Sequence, residues 1–175
     1  MVFEPESMFR VMTYFAGMEI WVSNLDPIVK YPAKLQHANV DVVIGVLEEH
    51  RLPDDFRDAL PPYIKHHHVM VSSLENQLTS TLRTIHSALE HRHTILLYSR
   101  SPTYLTTICI AFFLRAVCFA PEYIIFDFLQ PIPKTHSTWT YSFLDYLERV
   151  WPHAMITPVQ IQWLRRYEQM MLEFQ

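Results

Sequence analysis

A serine, an arginine and two tyrosines crowd one short turn of this chain. In TILLYSRSPTYLTTICIAFFLRA (94–116), an apolar run gives way to YSRSPTYL and then to a second apolar run. A strand feeding a loop that opens a helix is a frequent build for phosphate-handling sites, because backbone N–H groups converge there. Ser99 offers a hydroxyl, which becomes a nucleophile only if a base takes its proton. Arg100 offers positive charge for an anion. The rest of the kit is missing. No histidine adjoins Ser99, Pro102 has no N–H to donate, and the loop has no glycine to bring backbone close to an anion. The whole chain holds two glycines, Gly17 and Gly45, and neither is near this loop along the sequence.

Other residues with chemical potential are more scattered. His66-His67-His68 places two imidazoles on one strand face and one on the other. His91 and His93 lie further along, but two or three imidazoles without a cysteine or a second pair make a weak zinc pattern. No metal and no cofactor is expected. Asp54, Asp55 and Asp58 with Arg51 and Arg57 read as a solvated mixed-charge loop. Cys109 and Cys118 fall in an apolar helical segment and read as core thiols.

The surrounding elements are those of an α/β domain. VDVVIGVL (40–47) is a β-branched apolar run suited to a central strand buried on both faces. EIWVSN (19–24), YIKHHHVMVS (63–72) and residues 94–98 read as further strands. A short helix is expected to end near His37. Leu74, Leu78, Leu82, Ile85 and Leu89 recur at helical spacing over 74–92. Further helices are expected over 103–118, 121–130, 137–151 and 158–174, the last with Thr157 as N-cap and Pro158 at its first position. Strands separated by helices imply a mainly parallel or mixed sheet flanked by helices, with an added C-terminal helix. The loop then lies at the carboxyl ends of the strands.

The chain of 175 residues has a formal net charge of −4 and is half hydrophobic, which fits one globular domain. The acidic balance argues against a nucleic-acid partner. No apolar run is long enough to span a bilayer. The N-terminus lacks the pattern of a secretory leader. With two cysteines, a reducing cytoplasmic or nuclear setting is expected.

In order and spacing, these pieces resemble the dual-specificity protein phosphatase family. The resemblance covers residues 17–150, leaving 1–16 as an N-terminal extension and 151–175 as a C-terminal helical one. The family's signature is His-Cys, five residues, Arg, with a glycine inside. Laid on this chain, the histidine position is Tyr98, the nucleophile position Ser99, the glycine position Pro102 and the arginine position Leu105. The place of the family's general-acid aspartate falls at Ser72-Ser73. Losing one charged partner of a buried anion costs on the order of 3 kcal/mol, and several are lost together here.

The resemblance therefore implies a catalytically inactive pseudophosphatase that acts as a protein-interaction or scaffold module. Candidate contact residues are Arg100, Tyr104 and Trp139 around the loop, with Trp163, Tyr167, Met170 and Phe174 in a stripe along the last helix that begins at Val159. The stripe either packs on the domain or docks a partner. Exposed aromatic faces are compatible with a homodimer. Two alternatives are a reader that binds phosphorylated protein without hydrolysis and a protein associated with RNA 5′ ends.

Overall fold

The computed structural model describes residues 8–14, 19–24, 33–47, 58, 60–70, 74–119, 124–125 and 139–173. Six strands form one mixed sheet. They are β1 (Met8–Tyr14), β2 (Glu19–Asn24), β3 (Val42–Leu47), β4 (Lys65–Met70), β5 (Ile95–Ser99) and the two-residue β6 (Ile124–Ile125). Their spatial order is β4-β3-β5-β2-β1-β6. The neighbouring pairs among β4, β3, β5 and β2 are parallel, while β1 runs antiparallel to both β2 and β6. The helices are α1 (Ala33–His37), α2 (Leu74–Glu90), α3 (Pro102–Phe119), α4 (Trp139–Val150) and α5 (Pro158–Glu173). The expected α/β class with a mixed sheet is what the chain forms.

Side-chain alternation sorts the two faces of the sheet. Val42, Ile44, Val46, Ile95 and Leu97 meet residues of α2, α3, α4 and α5 in the larger core. Val43, Leu47, Leu96 and Tyr98 meet Leu35 of α1 and Ile64 in a smaller one. β3 and β5 are buried along their whole length, the outcome that VDVVIGVL implies. Helix α3 is apolar all round because it lies between the sheet and the outer helices. Its residues from Leu105 to Leu114 are all buried.

With few glycines, the chain closes helices by other means. Helix α1 ends with Asn39 at φ 55° and α2 with Arg92 at φ 61°. In each case two N–H groups fold back onto the last turn: Val40 to the Leu35 carbonyl and Asn39 to Gln36, then His93 to Ala88 and Arg92 to Leu89. This is the pattern that usually places glycine in the left-handed position. Helix α5 starts with a reciprocal cap. The Gln160 N–H donates to Thr157 Oγ1 at 3.3 Å, and the Thr157 N–H donates to Gln160 Oε1 at 3.1 Å.

Two expectations need correction. A helix over 121–130 is not what forms at its centre, because Ile124 and Ile125 pair with Tyr14 and Thr13 as β6. Two adjacent β-branched residues suit the open edge of β1, and local periodicity does not reveal so distant a partner. The rest of that segment lies outside the described residues. The buried face of α5 also differs from the expected stripe. Leu164, Tyr167, Glu168 and Met171 are buried, while Val159 is 70% and Met170 43% exposed. A hydropathy pattern omits Glu168, whose place on that face comes from the hydrogen bonds it makes. Residues 8–14 of the N-terminal extension are a strand of the sheet, and α5 packs against α3 and α4.

Candidate functional site: the turn between β5 and α3

Ser99 is the last residue of β5 and is 2% exposed. Its Oγ accepts the Ser101 N–H at 3.2 Å. Two residues on, Ser101 Oγ and Thr103 Oγ1 share a hydrogen bond of 2.8 Å. Pro102 opens α3 with its fixed φ, so the chain turns helical three residues after Ser99. The next turn is closed in the same manner. The Thr106 hydroxyl donates to the Pro102 carbonyl at 2.7 Å and accepts the Met155 N–H at 3.2 Å. The Thr107 hydroxyl donates to the Thr103 carbonyl. The polar groups of this turn are largely spent on one another.

Leu105 is fully buried and belongs to the larger core. Its place in the first turn of α3 follows from the early start of that helix. A side chain there faces hydrocarbon, not an anion held above the turn. Arg100 is exposed on the loop. Among the described residues, Ser99 Oγ has no imidazole or carboxylate partner, so nothing there is placed to take its proton.

Tyr98 points to the opposite face of the sheet, since neighbours on a strand alternate. It is fully buried, and its hydroxyl lies 2.7 Å from His66 Nε2. Gly45 makes this possible. It is the register partner of Tyr98 on β3 and of His68 on β4. A Cβ built on Gly45 would collide with the phenol ring. Burial lowers the His66 pKa from 6.5 to about 4, with further contributions from His68 and His67. Burial also pushes the Tyr98 phenol up. Both directions fit a phenol O–H donating to a neutral imidazole.

Of the expected contact residues, Trp139 is buried. Tyr104 is half-buried against the larger core. Trp163 and Tyr167 stack at 5.3 Å between ring centroids, with Tyr167 buried and Trp163 half-buried. Met170 is exposed. Ser73 and Phe174 lie outside the described residues. Tyr104, Trp139, Trp163 and Tyr167 belong to the larger core or pack against it, while Arg100 and Met170 are exposed. Cys109 is buried and Cys118 half-buried. Burial pushes both thiols up, aided at Cys118 by the Glu168 carboxylate. His66 and His68 are half-buried and His67 is exposed. Among the described residues no three metal-ligating side chains cluster.

Sequence reasoning missed Glu168. This carboxylate is buried in α5 and accepts the Thr140 N–H at 2.8 Å and the Thr140 hydroxyl at 3.4 Å, both in the first turn of α4. Burial raises its pKa, opposed by those hydrogen bonds and by Arg165. A glutamate at a heptad-like position between Leu164 and Met171 is the signal that points to such a role.

No protein-family model matches this sequence, and no curated protein matches it. Solved structures do. The crystal structure of a point variant of human DUSP28 superposes with a TM-score of 0.68 at 14% identity, covering 98% of this chain and 100% of that one. Human DUSP28 itself gives 0.66 at 16% identity, covering 97% of each chain. A leucine rich repeat and phosphatase domain containing protein from Entamoeba histolytica gives 0.62 at 11% identity, covering 96% and 94%. The chain therefore has the dual-specificity-phosphatase-like fold.

Proposed function

We propose that this protein is a pseudophosphatase: a phosphatase-like domain without catalysis, acting as a protein-interaction or scaffold module. The observation that carries the reading is Leu105. The position that corresponds to the signature arginine is packed in the core at 0% exposure. An anion above the turn then lacks its bidentate clamp. The hydroxyls of Ser99, Ser101 and Thr106, each engaged with the backbone or a neighbouring hydroxyl of the turn, support the same reading.

The test is turnover of a generic aryl phosphate by the purified full chain. We expect no rate above buffer, and none in Ser99→Cys, since a thiolate alone would still meet Leu105 and Pro102. Hydrolysis that disappears in Ser99→Ala overturns the proposal.

A further inference from the structure

At the other end of the parallel strands, β4 and α2 diverge around a cavity of about 450 Å³. Five side chains able to carry positive charge line it: Lys65 and His67 from β4, Arg83 from α2, and His91 and His93 from the turn between α2 and β5. Among the described residues no carboxylate lines it. In a chain of net charge −4 this is a local reversal of sign. Lys65 and Arg83 are exposed, and neither makes an ion pair with a described residue. The hydroxyls of Ser80 and Ser87 add donors to the wall.

Two carboxylates lie nearby in the chain, each with a described partner. The Asp41 carboxylate accepts the Thr94 N–H at 2.9 Å. Glu90 lies 3.1 Å from His86. The carbonyls that end α2 would repel an anion, but they accept hydrogen bonds. Ser87 receives the His91 N–H and contacts His91 Nδ1 at 2.7 Å, while Ala88 and Leu89 receive the N–H groups of His93 and Arg92. Those hydrogen bonds offset part of the carbonyls' repulsion of an anion.

The shape indicates what fits. The volume is in the range of ligand pockets and larger than a bare phosphate ion requires. Among the described residues, β4 pairs only with β3, and no described strand covers its outer backbone edge. An extended peptide can add to such an edge. We propose that this groove binds a phosphorylated, extended segment of a partner protein, with the phosphate held by Lys65, Arg83 and the flanking imidazoles. The proposal is independent of whether the β5–α3 turn is catalytic.

The experiment follows the side-chain NMR signals of His67, His91 and His93 in the full chain. Inorganic phosphate is titrated first, then a mixed pool of short phosphoserine peptides, its unphosphorylated counterpart and a short single-stranded RNA. We expect saturable shifts with phosphate, at least about tenfold tighter binding of the phosphopeptides, and none with the unphosphorylated pool. Ser99→Ala should leave this unchanged, and Lys65→Ser with Arg83→Ser should abolish it. Both lysine and arginine are exposed, and an unchanged melting temperature confirms that the double variant folds. Silent histidines overturn the proposal. So do shifts that persist in the double variant, equal binding of the unphosphorylated pool, or tighter binding of RNA.

Discussion

The two ends of the parallel strands have opposite economies of polar groups. At the carboxyl end, Ser99, Ser101, Thr103 and Thr106 bond to one another or to nearby backbone, and Leu105 fills the core beneath them. At the amino end, Lys65 and Arg83 face an open groove with no described counter-ion. A site for a ligand keeps donors in reserve. A structural turn uses them up. By that measure the described residues of the β5–α3 turn behave as a structural turn, and the groove at the amino end keeps its donors in reserve.

The contrast makes energetic predictions, since closed polar networks should be sensitive and open ones tolerant. The strongest perturbation should be Gly45→Ala, which forces a methyl group against the Tyr98 ring beneath the turn. We expect a loss of about 3 kcal/mol in urea unfolding. A loss below about 0.5 kcal/mol would mean that the phenol moves aside freely and the end is not locked.

Glu168→Ala should cost about 2 kcal/mol, because it removes the acceptor for Thr140 in a buried setting. Glu168→Gln keeps an acceptor and should cost much less. The pH profile separates the two effects. Burial raises the native carboxyl above its unfolded value, so the folded chain holds its proton longer. Stability then falls as pH rises from the ordinary carboxylate range through the raised value. Glu168→Gln should flatten that slope in thermal melts.

His66 has the opposite dependence on pH. Its pKa is lowered from 6.5 to about 4, so the unfolded chain takes up a proton first. The stability it contributes is present above pH 6.5 and is lost as pH falls toward 4, by less than the roughly 3 kcal/mol of full linkage because water screens the half-buried ring. His66→Gln should remove this component of the acid transition.

At the open end, effects should be small. Lys65→Ser and Arg83→Ser should each change stability by no more than about 0.5 kcal/mol. Arg92→Gly should even gain about 0.5–1 kcal/mol, because an arginine at φ 61° has a steric cost that glycine avoids. Asn39→Gly should gain less, since asparagine tolerates that region. If the groove variants destabilise as strongly as Gly45→Ala, the cations are structural and the contrast fails.

Much of the fold is legible in the sequence, and the reasons are physical. VDVVIGVL announces its own burial, and the leucine spacing of α2 announces its inner face. Thr157-Pro158 marks the start of α5 through its cap. What escapes is non-local. Ile124-Ile125 becomes a strand only because β1 offers an edge. The α5 face is set by a glutamate reaching Thr140 across the bundle. The degenerate turn could be recognised as strand, loop and helix, but not that Tyr98 faces away from Ser99 toward His66. The basic groove joins Lys65 to Arg83 and His91, residues that no motif links.

The Glu168 contact has a practical consequence for mapping interactions. Deleting the C-terminal segment is the obvious way to ask whether it recruits a partner. Here the same cut uncovers the face of α3 turned away from the sheet and strips Thr140 of its acceptor, so a truncated chain that no longer captures a protein reports on folding as much as on recognition. The C-terminal segment is a structural brace and not a detachable module. Its outward residues, Val159 and Met170 among them, have to be altered one at a time for recognition to be read apart from the scaffold that displays it.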